Sequence, residues 1–391
     1  MDIKKSAFEL KDKLIEMRRH LHQYPEIAFE EVKTSEYIAD TLSKLGIEVK
    51  TGIAKTGIVG ILKGDGNKTI ALRADMDALP VTEQNEIEYK SRYEGKMHAC
   101  GHDSHMSMLL GAAIILSQMK EHLKGTVKFI FQPSEESLPG GAKKMIEEGV
   151  LESPKVDAIF GMHVDPTIET GKIGYKAGPL MAFSSEFNIL LKGKGGHAAV
   201  PQASIDPIVM ASDVIQELQK IVSRWTSPIE PIVLTIGSIH AGTAFNIIPE
   251  TAEMKGTTRV VNTDLAKKVP GKIETILKKI TEIYGGSYKF NFLPGYPALI
   301  NDKKFTNFVS KIIENLFGKE NALKLEEPLM GGEDFAYYLQ EVPGTFLRLG
   351  TANEQKDSTY PWHHPRFNID EDALPIGTSL FAACSLEYLG S

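Results

Sequence analysis

Residues 97–122 read MHACGHDSHMSMLLGAAIILSQMKEH. The first ten gather His98, Cys100, His102 and His105 around the carboxylate of Asp103. Thiolate and imidazole are the donors a borderline-soft divalent metal prefers, and a nearby carboxylate can orient a ring. From Ser104 to His122 the pattern predicts a helix that is apolar on several faces and therefore buried. The alternative is a run of satisfied polar residues at the entrance to that helix. A metal needs donors from elsewhere in the chain, so the flanking segments decide between the two.

Upstream, helical spacing marks Phe8–Leu21 and Lys33–Leu45, the second stopped by Gly46. Strand-like runs follow at Gly57–Leu62 and Thr69–Ala74, separated by the turn residues KGDGN at 63–67. Downstream come an apolar strand at Thr126–Phe131, a helix at Gly141–Glu148 and a strand at Val156–Phe160. This alternation predicts an α/β domain with a sheet covered on both faces.

The rhythm changes near Ala182. Ser185–Leu191 reads as a strand, Asp206–Val222 as a helix, and Pro231–Ile239 and Ala252–Arg259 as strands. Asp264–Tyr284 then reads as a helix and Tyr288–Phe292 as a strand. The order βαββαβ is that of a ferredoxin-like split-βαβ sandwich. Pro294-Gly295-Tyr296-Pro297 forms a hinge, and helix–strand alternation resumes at Asp302. The expected organisation is one domain made of 1–181 and 293–391, interrupted by a second at 182–292.

A chain of 391 residues exceeds one simple core, in keeping with two domains. A hydrophobic content of 42% and a charged content of 24% are those of an ordinary soluble globular protein. The net charge of −7 argues against a nucleic-acid or anionic-membrane partner. Only Cys100 and Cys384 are present, which excludes a disulfide framework and fits a reducing compartment. The N-terminus, MDIKKSAFELKDKLIEMRRHLH, is a charged amphipathic pattern with no signal-peptide core. The longest nearly apolar stretch, Met106–Leu116, is too short to cross a bilayer. A cytoplasmic location is expected.

Further donors stand where strands end. Phe131-Gln132-Pro133-Ser134-Glu135-Glu136 follows an apolar run, and in open α/β sheets functional groups collect at the carboxyl ends of strands. Adjacent glutamates alone would be a solvated turn. Beside a thiolate–imidazole cluster, one can ligate a metal while the other acts as general base. Gly161-Met162-His163-Val164 ends the next strand, and Leu72–Asp77 ends an earlier one with Asp75 and Asp77. Trp362-His363-His364-Pro365 adds two more imidazoles. Each fragment is weak alone, but together they supply the missing donors.

The motifs RADMDALP, MHACGHDSHM, FQPSEES, GGAKKMIEEGV, GKGGHAAVP, NIIPE, GTTR, GGEDF and WHHPRF resemble, in order, those of the M20 metallopeptidases. They look most like the branch of N-acyl-amino-acid amidohydrolases, hippurate hydrolases, thermophilic carboxypeptidases and auxin-conjugate hydrolases. The resemblance implies a mixed-sheet, two-metal, aminopeptidase-like catalytic domain with an inserted βαββαβ lid, which often also forms a homodimer. It implies Cys100, His102, Glu136, His163 and His363 as ligands and Glu135 as general base. His363 is preferred to His364 because the family's ligand stands two residues before Pro365 and four before Phe367. The implied cofactor is a pair of divalent ions, with Zn, Mn, Co and Ni all open.

The chain departs from other M20 enzymes where Asp75 replaces a histidine ligand and the Cys100/His102 pair replaces a bridging carboxylate. Asp77, which normally orients the missing histidine, is left to steer a ligand from behind or to take another task. His197 resembles a lid histidine that stabilises the oxyanion, and Asn246 with Arg259 a clamp for a substrate carboxylate. His20, His22, His98 and His105 are read as structural. The implied reaction is hydrolysis of an N-acyl-amino acid or short peptide by metal-activated water. A carboxypeptidase or dipeptidase with the same site, or an N-acetyl-diaminopimelate deacetylase, is the alternative. A non-catalytic binder would have no use for Glu135.

Overall fold

Asp75 and Gln132 stand level on adjacent parallel strands, and His163 lies two residues beyond the last residue paired on the strand at the other side. In the computed structural model, which describes residues 2–390, Thr69–Asp75 runs between Thr126–Gln132 and Ala158–Glu169. Asp75 is the register partner of Gln132, and Arg73 that of Gly161, two residues before His163. Both of the shorter strands are buried along their whole length, which is why they read as continuous apolar runs.

These three strands are the middle of an eight-stranded mixed sheet. Its order is Glu48–Ile53, Gly57–Lys63, Thr126–Gln132, Thr69–Asp75, Ala158–Glu169, Gly344–Ala352, Ile173–Tyr175 and Ala322–Lys324. The first two pair antiparallel with each other, and Gly57–Lys63 is antiparallel to Thr126–Gln132. Gly344–Ala352 continues the parallel run beside Ala158–Glu169. Successive residues of a strand face opposite sides, and here both sides are covered. The ring of Phe160 packs on Phe381 of helix Leu374–Gly390, with centroids 5.3 Å apart. Its neighbour Gly161 faces the ring of Phe335, which leads into helix Ala336–Glu341.

Helix His102–Gln118 is buried over nearly all its length. It begins two residues before the expected Ser104. A Cβ on Gly111 would lie 2.4 Å from Leu14 Cδ2 and 2.9 Å from Thr378 Oγ1. Only glycine lets this helix approach Lys11–Gln23 and Leu374–Gly390 so closely. No described helix is long and apolar enough to cross a membrane.

All of this belongs to one compact unit, made of 1–180, 300–327 and 334–391. A second unit comprises 181–299 with 328–333. Its four antiparallel strands lie in the order Ile232–Ala241, Thr251–Val260, Phe183–Lys192 and Ser287–Pro294. Ser185, Phe187, Ile189 and Leu191 alternate inward along Phe183–Lys192. The last three join one apolar core with helices Pro207–Ser223 and Thr263–Tyr284.

Candidate metal centre

Gly101 turns the chain between Cys100 and His102. Its φ is +88°, and a Cβ there would lie 2.4 Å from Val164 Cγ2, so both backbone and space demand glycine. The turn places His102 at the first position of its helix, fully buried. His102 Nδ1 donates to the carbonyl of Asp77 at 2.8 Å. Its Nε2 is buried with no hydrogen-bond partner among the described residues, 3.6 Å from Asp75 Oδ2. Burial disfavours a charged ring, but Asp75 and Asp77 outweigh it and push the pKa up to about 10.

His163 faces Cys100, with Nε2 3.3 Å from the sulfur. Its Nδ1 donates to Val164 O at 2.7 Å, which leaves the Nε2 lone pair for the site. Burial pushes its pKa well below the usual range and holds this ring neutral. Burial and then the charges of Glu136 and Glu135 raise the Cys100 thiol well above its usual range. Glu136 Oε1 lies 3.2 Å from His363 Nε2 but accepts no aligned hydrogen bond. Burial opposes its ionisation, and the interaction with His363 overcomes this and lowers its pKa.

His363 has a φ of +65°, a conformation disfavoured for a residue with a Cβ. Its N–H donates to Ala99 O at 2.8 Å, which seats it against the Cys100 turn. His364 instead stacks on Tyr360 at 4.6 Å and accepts the Arg366 N–H. Of the five groups of donor atoms that fit within 4.8 Å among the described residues, three draw on the expected ligands: Cys100, His102 and His163; Cys100, Glu136 and His363; His102, Glu135 and Glu136. The fold thus brings together six residues that the sequence scatters from 100 to 363.

The supports behind them are carboxylates. Asp77 Oδ1 accepts the N–H of Glu135 at 3.0 Å and Oδ2 that of Glu136 at 2.9 Å. Ser134, at φ +54°, donates its N–H to Glu31 Oε1 at 2.9 Å. Thr56 donates to Glu31 Oε2 at 2.6 Å. Three consecutive amides of the Ser134–Glu136 loop are therefore held by two acids. Asp75 Oδ1 accepts from His105 Nδ1 at 2.6 Å, and His105 Nε2 accepts the Val164 N–H. With both nitrogens engaged, His105 orients Asp75 and offers no lone pair to a metal.

Arg73, Gln132 and Asp334 complete the support; they lie in the motifs RADMDALP, FQPSEES and GGEDF, which assign them no ligand or catalytic role. Arg73 donates to Asp75 at 2.8 Å, to Gln132 Oε1 at 2.9 Å and to Asp334 Oδ1 at 2.9 Å. For Arg73 the available signal is a charged residue inside an otherwise apolar strand. His98 is also buried, its pKa pushed down to about 3 by burial, and neither ring nitrogen has a partner among the described residues.

His197, Asn246 and Arg259 belong to the second unit. Strand Gly196–His197 pairs with Ile247–Ile248, and Ala198 N–H donates to Asn246 O at 3.1 Å, so His197 and Asn246 are exposed neighbours. Arg259 is half-buried near the end of Thr251–Val260, where it donates to Thr258 O at 3.0 Å.

The donor set of one thiol, three imidazoles and a carboxylate fits a pair of borderline-soft divalent cations. Among the described residues, the buried atoms His102 Nε2 and Glu136 Oε1 have no aligned hydrogen bond, which fits the same role, since buried polar atoms rarely go unsatisfied. Known proteins agree. The chain is 43% identical over 379 residues to N-acetylcysteine deacetylase of Bacillus subtilis, covering 96% of this chain and 97% of that one. It is 40% identical over 390 residues to thermostable carboxypeptidase 1 of Saccharolobus solfataricus, covering 99% and 98%. A crystal structure of the Bacillus subtilis YXEP protein, a dinuclear metal binding peptidase from the M20 family, superposes with a TM-score of 0.84. It is 39% identical, over 98% of this chain and 99% of that one. The family model for peptidase family M20/M25/M40 matches residues 71–387. This chain belongs to that family of amide- and peptide-bond hydrolases.

Proposed function

We propose that the protein hydrolyses the amide bond between an acyl group and an amino acid, with two divalent ions held by Cys100, His102, Glu136, His163 and His363. The observation that carries this reading is the convergence of those five residues with Glu135 in overlapping clusters. When bound, the ions would supply Lewis acidity and lower the pKa of a water. Glu135 accepts the proton of the attacking water and returns it to the departing amine. Asp77 holds the backbone of this base in place.

His197 is the donor for the oxyanion, and Arg259 with Asn246 binds the substrate carboxylate. Residues 182–292 form a ferredoxin-like lid inserted between the catalytic segments 1–181 and 293–391, with 293–299 and 328–333 belonging to the same compact unit as the lid. Two copies pair through that lid. Its edge strand Ile232–Ala241 and the exposed Phe245 and Ile247 support such pairing. The relatives' names, a deacetylase and a carboxypeptidase, support an N-acyl-amino acid or short peptide as substrate.

The test is a panel of N-acetyl-, N-benzoyl- and dipeptide substrates, assayed after chelation and re-addition of Zn, Mn, Co or Ni. Turnover should vanish with chelation, return with metal and be fastest on N-acyl-amino acids. Faster dipeptide cleavage would favour the carboxypeptidase reading. No turnover with any metal or substrate would end the proposal.

A further inference from the structure

The Arg18 guanidinium is completely buried at the back of the metal-ligand segments. Its Nε donates to Asp103 Oδ2 at 2.8 Å, and its two terminal nitrogens donate to Asn368 Oδ1 at 2.8 Å, Glu371 Oε1 at 3.2 Å and Tyr89 Oη at 3.2 Å. Asp103 directly follows His102, whereas Asn368 and Glu371 lie just downstream of His363. One side chain thus grips both the turn that carries Cys100 and His102 and the stretch that carries His363.

A second route runs in parallel. His22 Nδ1 lies 2.8 Å from the same Asp103 oxygen, and its Nε2 lies 3.1 Å from Glu83 Oε1. Asn85 donates to Glu83 at 3.0 Å and to Phe367 O at 3.1 Å, while Gln84 N–H donates to Pro365 O at 2.8 Å. Both routes begin at Asp103 and end within residues 365–371. A planar, five-donor group suits such a junction, and an ammonium cannot reproduce its geometry.

We propose that Arg18 is a positioning residue for the metal centre, fixing the separation between the Cys100–His102 turn and the His363 segment. This inference rests on the two-metal reading above. It assigns the N-terminal helix Lys11–Gln23 a task in metal retention as well as in packing. Groups behind metal ligands commonly contribute about 10–100-fold to affinity, which sets the size of the expected effect.

The experiment measures zinc affinity by competition with a chromophoric chelator for wild-type, Arg18→Lys and Asn368→Ala proteins. Melting temperature and the separate kcat and KM values are recorded on the same preparations. Asn368→Ala removes one arm of the junction and keeps the test available should Arg18→Lys fail to fold. The expected result is a second zinc bound about 10–100-fold more weakly. With it, kcat falls more than KM, and excess zinc restores turnover. Lower melting temperatures with both zinc affinities and kcat unchanged would overturn the inference, leaving Arg18 a packing residue. A wild-type protein that binds fewer than two zinc ions would overturn the two-metal reading, and this inference with it.

Discussion

The carboxylate of Asp77 takes the backbone N–H of Glu135 at 3.0 Å and, through its other oxygen, the adjacent N–H of Glu136 at 2.9 Å. Asp77 Oδ1 also lies 3.4 Å from His102 Nδ1. A residue whose role was open in the sequence is therefore the anchor of the loop that carries the proposed base. Asp77→Asn replaces one acceptor oxygen with a donor and should lower kcat by roughly 10–100-fold. Asp77→Ala leaves both amides without acceptors and should also cost about 1–3 kcal/mol of stability. Steady-state kinetics beside chemical denaturation checks both, and a fully active Asp77→Ala would refute the role.

Glu135→Gln retains the shape of the side chain and removes its basicity. Metal content should stay at the wild-type level while kcat falls by roughly 10²-fold or more. Metal analysis and kinetics on one preparation separate the two effects. Wild-type turnover in this variant would remove Glu135 from the mechanism.

Metal uptake should release protons. In the metal-free protein His102 is protonated up to about 10, and the Cys100 thiol lies well above its usual range. Both must be deprotonated to ligate, so filling the site near neutral pH should expel roughly two protons. Affinity therefore rises with pH. Calorimetric titration in buffers of different ionisation enthalpy counts the protons, and a buffer-independent heat would contradict the prediction.

Glu31 gives the chelated protein a pH-dependent stability. Burial raises its pKa to about 7, with the charge of Asp77 acting in the same direction and the Thr56 hydroxyl opposing. A raised folded pKa favours the protonated side chain. Its contribution is complete below the unfolded value of 4.5 and is lost as pH climbs through about 7. Glu31→Gln should remove this slope, gaining about 1–3 kcal/mol on the wild type between about pH 5 and about pH 8. Parallel denaturation curves at the two pH values, with no change in the difference, would show that Glu31 does not titrate in this range.

The parts of the fold legible in the sequence are those where burial is continuous. Thr69–Asp75 and Thr126–Gln132 read as apolar runs because both faces are covered. Glu48–Ile53 did not, since it is an edge strand whose residues are exposed or half-exposed. Val156–Phe160 was too short a reading because the strand, Ala158–Glu169, continues through polar Asp165 and Thr167. In the site, the donors were legible by chemical type. Their partners were not: Arg73 meets Asp334 from 261 residues away, and Ser134 meets Glu31 from 103. Local periodicity carries no information about such pairs.

The register that sets Asp75 level with Gln132, with His163 two residues past the last pair, has a consequence for how this protein could change. In a pleated sheet, a slip of one residue sends every side chain to the opposite layer. Sliding any of the three strands would therefore turn its whole contribution away. Of the five proposed ligands only His163 lies on such a strand, so the sheet register fixes that ring while turns, a bend and a helix start place the other four.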